Sequence, residues 1–269
     1  MELGVHLPLI PLGEEPLSLQ RLAATVDAAR ACGFAALSAN DHLVFQTPWL
    51  DGPAALASMI ERSGEMELAT TVALAVVRGP VALAKALVAI DLLSGGRVLA
   101  GVGPGSSERD YELVGIPFEE RWKRFDEALP VLRAELGRVP LWIGSWGSRA
   151  GLARVARMGD GWLASAYNTT PERFAAARAA LPEGFPNALA TMWTWVSGTQ
   201  AEGDRMLADV LAPLLRRDPD TLRGQVCVGP AGHCSELLAR YAEAGCRRVY
   251  LWPLGDEPRQ LELMAGLVR

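Results

Sequence analysis

Residues 90–105 read IDLLSGGRVLAGVGPG, an apolar run bracketed by two glycine clusters. The run is too short for a helix and suits a strand buried on both faces. Ser94-Gly95-Gly96 stops the helical pattern before it. Gly101, Gly103 and Gly105 leave bare backbone at the strand's other end, where the chain either approaches a ligand without Cβ obstruction or simply turns tightly. Helix, stop, strand and glycine-rich turn make one β/α unit, and the unit recurs in both directions from here.

Upstream, ELATTVALAVV (67–77) is an unbroken apolar and β-branched run, read as the third strand, which feeds Pro80 and the helix ending near Ser94. Leu3 to Leu7 is the first strand. A helix over about Leu17 to Cys32 repeats apolar residues at Leu19, Leu22, Val26 and Ala29 and ends at Gly33, and Phe34 to Ser38 begins the second strand. Downstream, PLWIG (140–144), GWLASA (161–166), ALATMWTWVS (188–197) and RRVYLWP (247–253) are the fifth to eighth strands. Thr170-Pro171-Glu172 starts a helix with an N-cap, a proline at the first position and an acidic first turn, and CSELLARYAEAG is another, ended by Gly245.

Eight strands, each followed by helical sequence, predict a single (β/α)8 barrel over residues 1–269. An open doubly wound sheet is the alternative, because β/α alternation alone does not separate the two; the strand count favours closure. In such a barrel the chemistry gathers at the C-terminal ends of the strands.

The 269 residues include 26 basic and 31 acidic side chains, a net charge of −5, so no electrostatic footprint for nucleic acid or an anionic membrane is expected. MELGVHLPLI lacks a basic leader and no stretch approaches ~18 uninterrupted apolar residues, so a cytoplasmic protein without a membrane span is expected. Cys32, Cys227, Cys234 and Cys246 have no C-x-x-C spacing and His6, His42 and His233 are scattered, so reduced thiols and no metal site are expected.

Three constellations fall at strand ends. Gly101 to Ser107 follows strand four; it lacks the pattern of a dinucleotide loop and the lysine of a P-loop. Gly144 to Arg149 opens a helix after strand five, where free N–H groups, the Ser148 hydroxyl and the Arg149 guanidinium suit a phosphate. Asn40-Asp41-His42 ends strand two and sets a carboxylate beside an imidazole, groups able to polarise a ligand or move a proton. His6 points from strand one. Trp146, Trp162, Trp193, Trp195 and Trp252 fall on or beyond strand ends as core or as pocket walls.

Together these pieces resemble the bacterial-luciferase-like family of flavin- and deazaflavin-dependent oxidoreductases. The resemblance rests on Asp41-His42-Leu43, RGPVALAKALVAIDLLSGGRVLAGVGPG from Arg78, GSWGSRAGLARVARMGDGWLAS from Gly144, and VGPAGHCSELLARYAEAGCRRVYL from Val228, in that order. It implies a (β/α)8 barrel that binds F420 or FMN at the strand C-termini, F420 slightly favoured, acts on a small organic substrate by hydride transfer or oxygenation, and forms a homodimer. It also implies a non-prolyl cis peptide at Thr71-Val72, and a site drawn from His6, Asp41, His42, Thr71, Val72, Gly103, Gly105, Ser106, Gly147, Ser148 and Arg149, with Asp41 and His42 the catalytic pair.

Three departures matter: Gly79 stands where the family often has histidine, Ser106 where F420 sugar-phosphate dehydrogenases place a catalytic glutamate, and Gln46 where they place tryptophan. A sugar-phosphate dehydrogenase is thereby disfavoured. The missing carboxylate at Ser106 keeps a non-catalytic flavin-binding paralogue as the alternative.

Overall fold

The computed structural model describes residues 1–13 and 15–267. Its strands are β1 (Glu2–His6), β2 (Ala36–Ala39), β3 (Glu67–Thr70), β4 (Ala73–Leu74), β5 (Val98–Gly103), β6 (Leu141–Gly144), β7 (Gly161–Ser165), β8 (Asn187–Ser197), β9 (Cys227–Pro230) and β10 (Arg248–Pro253). β10, β1, β2, β3, β5, β6, β7 and β8 pair in that order, all parallel, and β8 pairs back onto β10. The sheet is therefore a closed eight-stranded (β/α)8 barrel.

Two strands depart from the sequence reading. The 67–77 run is not continuous: it breaks at a cis peptide between Thr71 and Val72, and only the short β4 resumes, pairing with β5. β9 was not expected. It lies alongside the C-terminal half of β8, from Thr194↔Cys227 to Ser197↔Pro230.

Inside the barrel, Ala36, Ala69, Leu99, Leu163, Ala188 and Tyr250 form a buried layer on which Val72 and Trp142 pack. The large rings fit because small residues face them; a Cβ on Gly161 would lie 2.3 Å from the Trp142 indole. At the N-terminal mouth Arg248 bridges Glu2 and Glu67 beside the Tyr250 hydroxyl. The strands' outer faces are covered by amphipathic helices. The helix Leu19–Ala31 starts two residues later than expected because the Ser18 hydroxyl caps it, accepting from the Arg21 N–H. The helix Ala231–Glu243 buries Cys234, Leu237, Leu238 and Tyr241, and each leucine so covered contributes about 1.5–3 kcal/mol. Among the described residues no helix is long and apolar enough to cross a membrane.

Candidate active site

A cleft of about 410 Å³ opens at the C-terminal end of the barrel. His42, Phe45 and Trp49 reach it from the loop after β2, Ser106 from the turn after β5, and Trp146 from the loop after β6. Thr191 and Trp193 line it from β8. Thr191 has φ 58, and the register of β8 against β10 slips by one residue there. A β-branched residue in that region of backbone space costs about 1–2 kcal/mol, and a bulge beside a cleft is a common way to re-aim side chains.

Asp41 and His42 do not act on each other. Asp41 is buried and receives both Nε and Nη2 of Arg78, the latter at 2.7 Å, and the Leu74 N–H at 3.2 Å. It ties the end of β2 to β4, and Arg78 continues the link to Asp51. The Arg78 guanidinium is held charged well above its ordinary range, chiefly by its bonds to Asp41.

His42 instead meets Asp110, which the sequence did not single out. His42 Nδ1 lies 2.8 Å from Asp110 Oδ2, while Asp110 Oδ1 accepts from the Leu43 and Val44 N–H groups, each at 2.9 Å. Three groups thus converge on one buried carboxyl, and a neutral His42 that donates to it does so from Nδ1, which leaves Nε2 as the acceptor. The imidazole ring is held by Trp49 in an edge contact at 4.6 Å and by Phe45 at 5.2 Å. No spacing pattern joins residue 42 to residue 110, which stands on the short helix Glu108–Leu113.

His6 lies below the cleft rather than on it. Its Nδ1 donates to the Leu7 carbonyl at 2.7 Å, its Nε2 accepts from the Asn40 N–H at 2.9 Å, and its ring stacks on Trp252 at 3.6 Å, which stacks on Trp193 at 3.9 Å. Burial lowers its pKa to about 3, so it is neutral and both nitrogens are used. Of the tryptophans, Trp146 and Trp193 wall the cleft, whereas Trp162 packs on Phe174 and donates to the Ser145 carbonyl.

The glycine patch has a structural occupant. A Cβ on Gly103 would lie 2.8 Å from Val72 Cγ2, one on Gly105 2.8 Å from Leu74 Cδ2, and one on Gly101 1.9 Å from the Thr70 carbonyl oxygen. The bare backbone of β5 therefore admits the β3–β4 break, which brings half-buried Val72 over the interior layer. Of the predicted glycine-turn residues, Ser106 lines the cleft directly. Beyond β6, Ser148 caps the helix Arg149–Met158, accepting from Gly151 N–H at 3.2 Å, and Gly147 N–H donates to Ser145 Oγ. Arg149 is exposed at that helix start.

An uncharacterized protein of Mycobacterium tuberculosis is 29% identical over 164 residues, 52% of this chain and 55% of that protein. A 4-hydroxyprotoasukamycin monooxygenase of Streptomyces nodosus subsp. asukaensis is 32% identical over 127 residues, 46% of this chain and 34% of that protein. The matched chain thus spans about half the length of these curated relatives, or less. Among solved structures, an F420-dependent secondary alcohol dehydrogenase in complex with an F420-acetone adduct has a TM-score of 0.81 at 14% identity, over 99% of this chain and 98% of that one. A monooxygenase from Streptomyces bottropensis has a TM-score of 0.82 at 17% identity, over 100% and 98%. At those identities the likeness carries the barrel. A family model described as luciferase-like monooxygenase matches residues 1–192, so the chain belongs to the luciferase-like monooxygenase family.

Proposed function

We propose that the chain is a flavin-type oxidoreductase that binds F420, or in its place FMN, in the cleft and acts on a small organic substrate. The observation that carries this reading is His42, held through Nδ1 by buried Asp110 at the wall of a cleft at the barrel's C-terminal end.

The residues present suit such a group. Asn40 Oδ1, Trp49 Nε1 and Trp193 Nε1, on residues that line the cleft, are buried polar atoms without a hydrogen-bond partner, as is Thr71 Oγ1 at the β3–β4 break, an arrangement that suits a heteroatom-rich ring. Phe45, Trp49 and Trp193 offer flat apolar walls against which a substrate would lie beside that ring. Val72, with the Gly103–Gly105 backbone that admits it, and Ser106 would support the ring. Gly147, Ser148 and Arg149 would hold the phosphate at a helix N-terminus.

When bound, the cofactor supplies hydride or oxygen chemistry that side chains lack. The chain's own part is to orient substrate and handle a proton: His42 Nε2 takes it from, or returns it to, a substrate oxygen, and Asp110 stabilises the imidazolium that results. A fixed proton carrier is what exchange between an alcohol and a carbonyl needs, and this favours F420 and hydride transfer. Asp41 acts at one remove, through Arg78 and the β3–β4 break.

The test is turnover of purified protein with F420 or FMN, in both redox states, against a panel of alcohols, carbonyls and enones, followed by cofactor absorbance with and without oxygen. Wild type should turn over at least one pair, and His42→Asn should be slower by ~10²–10⁴ with cofactor affinity little changed. Ser148→Ala with Arg149→Ala should weaken FMN roughly tenfold and leave riboflavin, which lacks the phosphate, unaffected. No turnover above buffer with either cofactor refutes the enzyme reading.

A further inference from the structure

The chain is acidic overall, yet the wall of the cleft built from the segment after β8 carries two adjacent arginines, Arg216 and Arg217. Several other arginines are neutralised by carboxylates, Arg78 by Asp41, Arg154 by Asp126, Arg223 by Asp204 and Arg248 by Glu67, whereas Arg97 is spent on neutral oxygens of Ser63, Met66, Ser94 and Ile60 away from the cleft, and Glu108 and Arg109 line the cleft's opposite side. Among the described residues neither Arg216 nor Arg217 meets a carboxylate. Each is held by a neutral amide oxygen instead. Arg216 Nη2 donates to Gln46 Oε1 at 3.3 Å, and Arg217 Nη2 donates to Asn168 Oδ1 at 3.1 Å. An amide oxygen aims a guanidinium without cancelling its charge.

The two holders come from different strand ends and are themselves fixed. Gln46, in the loop after β2, also donates to the Leu214 carbonyl at 3.1 Å, and Asn168, after β7, donates to Ser165 Oγ at 2.9 Å. Arg216 closes the short helix Ala212–Leu215 in the left-handed conformation, φ 51 and ψ 48, rare for a residue with a Cβ. Gln46 thus has a definite task here: it joins the two sides of the cleft and orients a cation.

We propose that Arg216 and Arg217 form the anion subsite for the substrate, which is a small organic carboxylate whose apolar body lies against Phe45, Trp49 and Trp193. This rests on the oxidoreductase reading of the same cleft. The cofactor's own anionic group has its separate place at Ser148 and Arg149.

The subsite is tested on protein without cofactor, by tryptophan fluorescence, since Trp49 and Trp193 border the cleft. The probes are 3-phenylpropionate and its uncharged isostere 3-phenylpropionamide. The acid should bind roughly tenfold tighter at low salt, with the advantage shrinking as salt screens the pair. The variant Arg216→Gly/Arg217→Gln, in which glycine keeps the left-handed turn, should lose the preference while F420 and FMN affinities stay within about threefold. Equal binding of acid and amide by wild type overturns the proposal without need of the variant. A tenfold loss of cofactor affinity in the variant also overturns it, assigning the arginines to the cofactor's tail. If the acid preference holds while neither F420 nor FMN binds, the oxidoreductase reading fails and the subsite stands.

Discussion

Replacing Asp110 by asparagine changes one atom in kind and leaves the shape. In wild type, Oδ1 accepts two backbone N–H groups at 2.9 Å and Oδ2 accepts His42 Nδ1–H at 2.8 Å. The asparagine keeps the first two bonds with its carbonyl oxygen and presents an NH₂ where Oδ2 stood; the reverse orientation would set that NH₂ against two backbone donors. Donor then faces donor unless His42 moves its proton to Nε2. The exchange of a charge-assisted bond for a neutral one costs about 1–2 kcal/mol. For a chain of this size that lowers Tm by about 2–8 °C. The functional cost is larger, because the nitrogen facing the cleft becomes a donor where a base is needed; kcat should fall ~10²–10⁴. Long-range ¹H–¹⁵N spectra of histidine-labelled protein read the tautomer directly, and His6, His42 and His233 are the three histidines to assign. Wild type should show His42 protonated on Nδ1 and the variant on Nε2. The same tautomer in both, or unchanged Tm and turnover in the variant, would deny Asp110 its hold on the His42 tautomer.

Asp41→Ala removes the acceptor of two guanidinium bonds and a backbone N–H, leaving Arg78 with exposed Asp51 alone, and should cost about 3–5 kcal/mol by urea denaturation; a loss under 1 kcal/mol would deny Asp41 its anchoring role. Gly103→Ala drives a methyl to within 2.8 Å of Val72 Cγ2, so Val72→Ala in the same chain should restore more than about 1 kcal/mol, whereas it should not rescue Gly101→Ala, which meets the Thr70 backbone oxygen. His6 is neutral in the fold down to about pH 3 but takes a proton near its ordinary pKa of about 6.5 when unfolded. The unfolded state therefore binds more protons between those values, so stability falls as pH drops from ~6.5 toward ~3, by several kcal/mol in all. Denaturation midpoints against pH should show that slope in wild type and a shallower one in His6→Gln; parallel slopes would refute it.

The barrel was legible because its strands are buried on both faces and read as apolar runs with glycine and proline stops. β9 was hidden by its brevity and its Gly229-Pro230 end, and the break at Thr71–Val72 by an apolar run that local propensity alone would continue. The cis peptide followed from the resemblance to the family and not from the residues. The site was half legible. Asp41-His42 marked the right loop, but the pair divides its partners between Arg78 and Asp110, contacts made across the fold that no periodicity encodes. Gly103 and Gly105 were read as bare backbone for a ligand; the facing atoms belong to Val72 and Leu74, and only the fold brings them there. Gln46, a departure from a family pattern in one dimension, is a tie between two loops in three.

Cofactor binding in the cleft is tested most directly by equilibrium titration of the purified chain with F420 and with FMN, followed by fluorescence, beside a Ser106→Trp variant whose added indole fills the cleft. Wild type should bind at least one of the two saturably and one-to-one, and the variant should lose that binding at unchanged Tm. Failure of both cofactors to bind, or equal binding to the filled cleft, would contradict cofactor binding there.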